Sequence, residues 1–289
     1  MNTPLCAIAP DTSKDAGIDD GASTSIVTAP GNEKWTTERV LSVRRWTPNL
    51  FSFRTTRHAS FRFTPGQFAR LGVPLHADDP DSPLVWRAYS MACATYDEYL
   101  EFYSIVVPGG EFTSRLQSLR PGDPLCIEKT SYGFLTTDRF VGGQDLWLLA
   151  SGTGIAPFLS ILHDPQLWQD YRHLILVHSV RQQDELAYQE EIAVLPHHEL
   201  LRHSPAHLRY LPVVTREPHA GVLNERLTRL ISNGRLEAAA GLPLEVERSR
   251  LMICGNPQMA ADLRDLLTKR GFRVGRRGVP GQLAFENYW

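Results

Sequence analysis

An arginine, an aromatic ring and a hydroxyl group occur within four residues in the segment R-A-Y-S at 87–90. If the segment is an extended strand, its side chains alternate between two faces, so Arg87 and Tyr89 share one face and Ser90 points to the other. A planar ring stacked on Tyr89 could then direct an anionic group towards Arg87 and form a hydrogen bond near Ser90. A half-buried strand with an exposed arginine is the alternative, and this segment alone does not exclude it.

Two glycine-containing turns have the composition of phosphate-binding sites. In the first, Gly109 and Gly110 precede a predicted helix over 114–119, for which Thr113 is the predicted N-cap. A flexible loop followed by the free N–H groups of a helix start suits a pyrophosphate. The same glycines could also serve only to turn the chain.

The second turn is Gly152-Thr153-Gly154, which follows a continuous apolar segment at 145–150 and precedes a predicted helix. A G-x-G turn between a strand and a helix lets the backbone approach a dinucleotide. Pro157 replaces the third glycine of the usual fingerprint, which counts against a standard Rossmann motif. A proline nevertheless suits the first turn of a helix, where its missing N–H has no partner to lose.

The elements that must position these residues change type near residue 140. Before that point, short apolar segments are separated by turns that contain Pro and Gly, a pattern typical of an antiparallel barrel or sandwich. The predicted strands are 38–46, 50–55, 67–73, 86–92, 100–106 and 124–128.

After residue 140, apolar strands alternate with helical patterns, which predicts a doubly wound parallel sheet. The predicted strands are 145–150, 174–179, 210–215 and 251–254, and the predicted helices after the glycine turn are 185–195, 223–231 and 258–270. Such sheets bind ligands at the carboxyl ends of their strands, which is where the second glycine turn lies. The predicted fold is therefore an antiparallel β-barrel followed by a doubly wound α/β domain.

The length of 289 residues fits two domains, which we predict at 34–140 and 141–289. Residues 1–33 contain five carboxylates and one lysine among small and polar residues, so we predict an acidic tail without fixed structure. This tail has neither the basic start and apolar core of a secretory signal nor the arginines of a transit peptide. The four cysteines are widely spaced, and we expect reduced thiols and a cytoplasmic location.

Composition excludes several classes of function. The formal net charge of −2 does not favour a nucleic-acid-binding protein, and no apolar run reaches the ~20 residues of a membrane helix. The sequence contains no Cys-x-x-Cys pair, so it indicates neither a zinc site nor an iron–sulfur site. Four histidines fall in a Pro-containing connection without metal-binding spacing, at 197, 198, 203 and 207, and we predict no metal.

The order of the motifs resembles that of the bacterial ferredoxin (flavodoxin) NADP reductases over residues 35–289. The matching segments are R-x-Y-S at 87–90, G-E-F-T at 110–113, G-T-G-I-A-P at 152–157, C-G-N-P-Q-M at 254–259 and E-N-Y-W at 286–289. The resemblance implies an FAD-binding barrel, an NADP-binding α/β domain and electron transfer between NADPH and ferredoxin or flavodoxin.

The resemblance also implies which residues bind FAD. These are Arg87, Tyr89, Ser90, Gly110 and Thr113. Cys93 stands where the family more often has a small hydroxyl residue, so one hydrogen bond to FAD is expected to be missing; the alternative is that Cys93 is simply buried.

NADPH differs from NADH by a 2′-phosphate of about −1.5 to −2 charges, so a selective site requires arginines. The resemblance assigns this contact to Arg181, with Arg216 and Arg226 as partners. Arg181 and Arg216 follow predicted strands, and Arg226 lies on the predicted helix that comes next. It assigns the remaining nucleotide contacts to Gly152, Thr153 and Gly154.

The geometry that the resemblance implies places nicotinamide C4 against flavin N5. Ser90 is then expected near N5, Cys254 near the nicotinamide, and Glu286 in a position to relay a proton or orient the hydroxyl. Tyr89 and Tyr288 are expected on opposite flavin faces, with Trp289 towards the adenine. The tail would therefore have to move before the nicotinamide binds, which makes the C-terminus a gate.

The expected partner is an acidic ferredoxin or flavodoxin that binds a monomeric reductase transiently. A basic docking patch near the flavin edge is one expectation, and scattered solvated charges are the alternative. The candidates for the patch are Arg44, Arg45, Arg54, Arg57, Arg62, Arg70, Arg276 and Arg277. A reductase component of an oxygenase and a flavin-binding regulator without turnover are the alternative functions.

Overall fold

The computed structural model describes residues 34–76, 82–217, 223–276 and 278–287. The predicted acidic tail, Arg277, Tyr288 and Trp289 lie outside these ranges, so their predicted roles stay predictions. None of the helices in the described ranges combines the length and the apolar character that crossing a bilayer requires.

The first part of the chain forms a curled antiparallel sheet with one helix. Its elements are β1 (Trp35–Arg45), β2 (Leu50–Thr56), β3 (Phe68–Pro74), β4 (Leu84–Ser90), β5 (Tyr99–Ile105), α1 (Glu111–Ser118) and β6 (Pro124–Glu128). The strand order is β4-β3-β6-β1-β2-β5. Met91, directly after β4, pairs with Phe102 on β5, so the two outer strands of the sheet approach each other.

Aromatic residues fill the inside of this curled sheet. Phe51 and Phe53 on β2 are buried, and the ring centroid of Phe53 lies 5.5 Å from that of Phe102. Leu71 on β3 and Leu125 on β6 complete the same core from the neighbouring strands. The inward side chains of alternating residues thus come from every part of the sheet, as a barrel-like core requires.

The second part forms a parallel sheet covered by helices. Its elements are β7 (Asp145–Ser151), α2 (Ala156–Leu162), α3 (Leu167–Asp170), β8 (His173–Val180), α4 (Gln189–Val194), β9 (His207–Val214), α5 (Leu227–Ser232), α6 (Arg235–Ala240), β10 (Ser249–Gly255), α7 (Pro257–Lys269) and β11 (Leu283–Asn287). The strand order is β11-β10-β7-β8-β9. The direction of winding therefore changes between β7 and β10.

Burial of β7 on both faces explains its unbroken apolar sequence. Leu146 and Leu148 belong to the core on one side of the sheet, whereas Trp147 and Leu149 belong to the core on the other. A parallel strand between two helical layers has no solvent-facing side, so alternation with polar residues is absent.

The two sheets share one of these cores. Leu50, Tyr103 and Leu135, from the antiparallel part, pack in the same buried cluster as Phe158 on α2 and Trp168 on α3. Continuous apolar packing therefore joins the antiparallel part to the parallel part.

Tyr188 joins the two parts through a polar contact. Its hydroxyl donates to Glu101 Oε1 on β5 at 2.9 Å, and its ring lies 4.6 Å from that of Trp46, between centroids. Glu101 also accepts from Arg54 Nε at 2.8 Å. Burial, followed by the charge of Glu101, raises the pKa of Tyr188 well above its ordinary value, so the phenol is a neutral donor.

The predicted succession of an antiparallel barrel-like sheet and a doubly wound α/β sheet is confirmed. The helix predicted over 185–195 is present but shorter, because Tyr188 adopts a left-handed φ of 63° and the α-helix spans only Gln189–Val194. The helix predicted over 223–231 begins at Leu227, since the preceding residues form a bridge to β9 and a turn.

Three elements were not predicted. The strand β11 was interpreted as part of the C-terminal tail, and the short helices α3 and α6 were missed. Each is only four to six residues long, so hydrophobic periodicity gives almost no signal for it.

Candidate active site

A cleft of about 590 Å³ opens between β4, β5 and the start of α1, and we call it the barrel cleft. It brings together all five residues assigned to the first ligand: Arg87, Tyr89, Ser90, Gly110 and Thr113 line it. The predicted gathering of these residues around one ligand-sized space therefore agrees with the geometry.

Tyr89 presents its ring between two neighbours in the barrel cleft. The ring stacks on Phe112 of α1, with centroids 5.8 Å apart, and the hydroxyl lies 3.1 Å from Ser104 Oγ on β5. Burial raises the pKa of Tyr89 to about 12, against a smaller lowering effect of the Ser104 hydrogen bond. The tyrosine is thus neutral, and both its ring and its hydroxyl are held by neighbouring residues.

Arg87 and Ser90 differ sharply in exposure. Arg87 is exposed and donates to the carbonyl oxygen of Trp86 at 2.8 Å, whereas Ser90 is buried at the end of β4. The guanidinium is therefore accessible to an anion at the mouth of the cleft, and the hydroxyl lies at its inner end.

The predicted N-cap role of Thr113 is wrong. The helix begins at Glu111 with Gly110 as N-cap, so Thr113 lies in its first turn. Its Oγ1 accepts from the N–H of Val107 at 3.0 Å, which ties the helix to the end of the preceding strand. A Cβ on Gly110 would lie 2.9 Å from that Oγ1, so the turn requires a glycine there.

Cys93 is buried, as its alternative interpretation stated. Its Sγ accepts from the N–H of Glu101 at 3.3 Å, and burial raises the pKa of the thiol to about 12. It lines a separate cavity, together with Arg54 and Glu101, and not the barrel cleft.

A second cleft of about 530 Å³ lies at the carboxyl ends of the parallel strands, and we call it the sheet cleft. The sheet cleft lies between β7 and β10, where the order of the strands in the sheet reverses. Open α/β sheets bind ligands at this position. Thr153 and Ile105 line both clefts, so the two open onto each other.

The glycines of the turns after β7 and β10 permit a backbone-to-backbone contact. A Cβ on Gly154 would lie 2.4 Å from the carbonyl oxygen of Cys254, and one on Gly255 would lie 2.3 Å from Ser151 Oγ. Gly255 also has a φ of 130°, which favours glycine. These contacts hold the two turns together at the floor of the sheet cleft.

Asn256 directs the start of α7 towards the sheet cleft. Its Oδ1 accepts from the N–H groups of Gln258 at 2.9 Å and Met259 at 3.1 Å, and Pro257 occupies the first helical position. This arrangement is a complete N-cap, and it explains why the Asn-Pro pair follows the strand.

All three arginines assigned to the second ligand line the sheet cleft. Arg181 and Arg216 follow the adjacent strands β8 and β9, and the N–H of Arg216 donates to the carbonyl of Arg181 at 2.9 Å. Arg226 precedes α5 as its N-cap, so its predicted position within a helix is wrong.

Glu185 holds Arg181 in place, and sequence analysis missed it. Its two carboxylate oxygens accept from the Arg181 guanidinium at 2.9 Å and from the Arg181 N–H at 2.8 Å. Burial alone would raise the pKa of Glu185, but these contacts lower it below its ordinary value. The spacing of four residues from Arg181 was an available signal.

The residues assigned to the reacting atoms converge from different elements. Cys254 on β10 and Glu286 on β11 are register partners in the parallel sheet. A Cβ on Gly133 would lie 3.0 Å from Glu286 Oε1 and 3.1 Å from the ring of Phe68, the residue paired with Ser90. Glu286 thus reaches the inner end of β4.

Cys254 is fully buried. A ligand ring therefore reaches its side chain only after neighbouring groups move. Its burial follows from its place in the core beneath the parallel sheet, and it lines neither the barrel cleft nor the sheet cleft.

The histidine-rich connection is partly ordered into a strand. His207 begins β9 rather than lying in the connection, and its ring centroid lies 6.2 Å from that of His173. No cluster of three or more potential metal ligands occurs within the described ranges.

Three of the six barrel arginines pair with carboxylates. Arg44 pairs with Glu191, and Arg54 and Arg70 pair at 2.8 Å with Glu101 and Glu128. Arg57 donates to three backbone carbonyls instead. These side chains chiefly support the fold.

Comparison with known proteins places the chain among flavin-dependent reductases. The family model described as the oxidoreductase NAD-binding domain matches residues 148–265. A ferredoxin–NADP reductase of Pseudomonas aeruginosa is 43% identical over 254 residues, which cover 86% of this chain and 96% of that protein. A flavodoxin/ferredoxin–NADP reductase of Rhodobacter capsulatus is 36% identical, covering 86% and 91%.

A solved structure extends the similarity to the whole described fold. The ferredoxin NADP⁺ reductase of Neisseria gonorrhoeae, with bound FAD and NADP, superposes with a TM-score of 0.81 at 36% identity, covering 89% of this chain and 100% of that one. The flavohemoglobin of Malassezia yamatoensis, at 16% identity and a TM-score of 0.69, shares the fold alone.

Proposed function

This chain belongs to the ferredoxin/flavodoxin–NADP reductase family, and we propose that it passes electrons between NADPH and a ferredoxin or flavodoxin through a bound FAD. The observation that carries the proposal is the meeting of two clefts at Thr153 and Ile105. One cleft has an aromatic wall and an exposed arginine, and the other has three arginines. Two nucleotide cofactors bound there would place their rings side by side.

The barrel cleft fits FAD by size and by chemistry. Its volume of about 590 Å³ lies within the usual range for cofactor sites. Tyr89 offers a flat, neutral face to the flavin, and Arg87 and the α1 start at Gly110 offer positive charge and N–H groups to the pyrophosphate. We therefore assign FAD to the domain at 34–140.

The sheet cleft fits NADPH for corresponding reasons. Arg181, Arg216 and Arg226 surround the position of a 2′-phosphate, and the glycine turn at 152–154 leaves room for the pyrophosphate. No Cβ on Gly152 would meet another atom within 4 Å, so this edge of the turn is open to a ligand. We assign NADPH to the domain at 141–289.

Bound FAD supplies the redox chemistry, since it accepts a hydride from NADPH and passes on single electrons. The chain positions the two rings and controls the polarity around the reacting atoms. Ser90 offers its hydroxyl at the flavin edge, Glu286 holds a proton or orients that hydroxyl, and Cys254 packs against the nicotinamide. The register pairing of Cys254 with Glu286 supports these roles.

We further propose that the C-terminal residues cover the flavin. Tyr288 stacks on the flavin face opposite Tyr89, and Trp289 extends towards the adenine. Support comes from β11, which runs parallel to β10 and ends at Asn287, the register partner of Gly255 in the lining of the sheet cleft.

The partner and the setting follow from the same function. The reductase acts as a monomer on a transiently bound acidic carrier, since such pairs associate through complementary charge. We place it in the cytoplasm because Cys93, Cys126 and Cys254, the cysteines in the described ranges, form no disulfide.

The proposal is tested with the purified full-length chain. We expect a yellow protein that releases FAD on denaturation, loses its visible flavin absorption when NADPH is added without oxygen, and then reduces ferredoxin. NADH at the same concentration should act more slowly. A chain that binds no flavin, or one whose bound flavin NADPH does not reduce, would contradict the assignment.

A further inference from the structure

A buried histidine lies beneath the glycine turn of the sheet cleft. His178, on β8, has no solvent-exposed surface, and its Nε2 lies 3.0 Å from the carbonyl oxygen of Gly152. A carbonyl only accepts hydrogen bonds, so Nε2 must carry the proton. His178 therefore links the neighbouring strand to the turn that faces the nucleotide.

A second, longer contact agrees with this position of the proton. The hydroxyl of Tyr210, on β9, lies 3.5 Å from His178 Nδ1. Burial raises the pKa of Tyr210, so its hydroxyl keeps its proton and acts as the donor. Burial also lowers the pKa of His178 to about 4, against smaller raising effects of the Gly152 carbonyl and Glu185. The imidazole is thus neutral at physiological pH, with a single N–H.

The planar peptide unit links the direction of the Gly152 carbonyl to the direction of the Thr153 N–H. In a trans peptide, the C=O of one residue and the N–H of the next lie in one plane and point in opposite directions. Fixing the carbonyl of Gly152 towards His178 therefore fixes the N–H of Thr153 away from it. Gly152 has a φ of 54°, so its backbone conformation is one that few other residues hold without support.

We propose that His178 is a positioning residue for the pyridine nucleotide: by holding the Gly152 carbonyl, it directs the Thr153 N–H towards the phosphates shared by NADPH and NADH. The inference rests on the proposed nucleotide site in the sheet cleft. It adds a residue that makes no contact with the nucleotide and that no sequence motif indicated. Tyr210 supports it by keeping Nδ1 unprotonated.

Two substitutions of similar size separate hydrogen bonding from packing. In His178→Gln, the side-chain amide replaces the Nε2–H donor, whereas the thioether of His178→Met cannot donate. We expect His178→Met to raise the KM for NADPH and for NADH alike by about tenfold, the effect of leaving a buried acceptor unpaired. His178→Gln should stay within about threefold of the wild type.

Other readouts identify a positioning role. The kcat, the FAD content and the visible spectrum should change little in both variants, since neither touches the flavin. Equal KM values in His178→Met and the wild type, with intact FAD, would overturn the proposal. So would equal losses in the Met and Gln variants, because packing alone would then explain them.

A third variant covers the case in which His178→Met does not fold. Tyr210→Phe keeps the imidazole but removes the hydroxyl that selects its tautomer, so both KM values should rise about two- to threefold. Unchanged KM values would count against the proposal. If the proposed function were wrong, the result would be different: NADPH would not reduce the flavin of the wild type at all.

Discussion

Among the three arginines of the sheet cleft, Arg216 gives the clearest test of cofactor selectivity. Arg181 is already paired with Glu185, and Arg226 precedes a helix as its N-cap, whereas Arg216 forms no ion pair with any residue of the described ranges. We expect Arg216→Ala to raise the KM for NADPH by about one to two decades, the value of one charge-assisted contact of ~1.5–3 kcal/mol. The KM for NADH should change little.

The matched control is Arg202→Ala, at an exposed arginine in the connection before β9 that does not line the sheet cleft. It should leave both KM values unchanged. Equal losses with NADPH and NADH in Arg216→Ala would show that Arg216 acts on the turn or the fold and not on the 2′-phosphate.

His178 also makes the stability depend on pH. Its pKa is lowered from 6.5 to about 4 in the folded chain, so its stabilising effect is fully present above pH 6.5 and is lost as the pH falls towards 4. The unfolded chain takes up a proton in this window that the folded chain does not. Between about pH 7.5 and about pH 5, the wild type should lose ~2 kcal/mol more unfolding free energy than His178→Gln.

Denaturant unfolding of both proteins at saturating FAD measures this difference. Other groups that titrate in the window are common to both proteins and cancel. Parallel pH dependences would show that His178 takes up its proton equally in the folded and unfolded chains.

Residue types at close spacing were the most predictable part of the site. Arg87, Tyr89 and Ser90 indicated a ligand wall only together with the motifs of the second domain, and the ligand-sized space beside them is seen only in the folded chain. His178 gave no such signal, since its role depends on a carbonyl 26 residues away in the chain. The error on Thr113 also comes from a contact outside the local sequence pattern. Its hydroxyl accepts from the N–H of Val107, and Gly110 occupies the N-cap position.

At the scale of elements, the contact between the turns after β7 and β10 sets the shape of the sheet cleft. Gly154→Ala would place a methyl group 2.4 Å from a backbone oxygen of Cys254, which cannot rotate away as a side chain could. The two turns would have to separate. We expect a loss of about 1–3 kcal/mol in unfolding free energy and a higher KM for both nucleotides.

Gly275→Ala is the control, because a Cβ there has no atom closer than 3.5 Å. Its melting temperature and KM values should match the wild type. If Gly154→Ala behaves the same way, the close approach of the two turns is not needed for binding.

Long or strongly apolar elements were predictable, and short ones were not. The apolar run of β7 indicated a buried parallel strand because both of its faces are covered. The strand β11 follows a segment rich in glycine and arginine and is only five residues long, so pairing with β10 decides its structure. The left-handed Tyr188 likewise reflects tertiary contacts, since tyrosine has no intrinsic preference for that conformation.

At the scale of the whole molecule, we expect the exposed Phe134 to belong to the docking surface for the electron carrier. Phe134 is 77% exposed and follows Gly133, whose position lies beside the Glu286 carboxylate. The guanidinium carbon of Arg139 lies 5.6 Å from the centre of the Phe134 ring. An aromatic anchor next to a positive charge suits an acidic protein partner.

We expect Phe134→Ala to lower kcat/KM for ferredoxin by about tenfold, as for an anchor residue of an interface. Arg139→Ala should lower it less and mainly at low salt, because an exposed charge is screened. Reduction of ferricyanide, a small acceptor that needs no docking, should be unaffected.

The control is Val194→Ala, which removes a comparably exposed apolar side chain from α4 on the parallel-sheet part. It should change neither activity. A ferredoxin reaction that is insensitive to Phe134→Ala would move the docking surface elsewhere.

The order of the two folds was predictable because strand lengths, turn residues and apolar runs differ on the two sides of residue 140. The resemblance implied that the two ligands meet, but it did not identify Thr153 and Ile105 as the residues shared by the two clefts, since this depends on how the sheets pack. Which of the barrel arginines pair with carboxylates was also not predictable, because only the folded chain brings Arg44, Arg54 and Arg70 beside acidic residues.

The Tyr188–Glu101 contact limits how such reductases can be recombined. Exchanging the second half of this chain for that of a relative would separate two groups that are buried against each other. A chimera with phenylalanine opposite Glu101 would retain a buried carboxylate with one fewer donor and should express poorly. A hybrid of this chain with mixed cofactor and carrier preferences therefore requires that a tyrosine at 188 and a glutamate at 101 both be present.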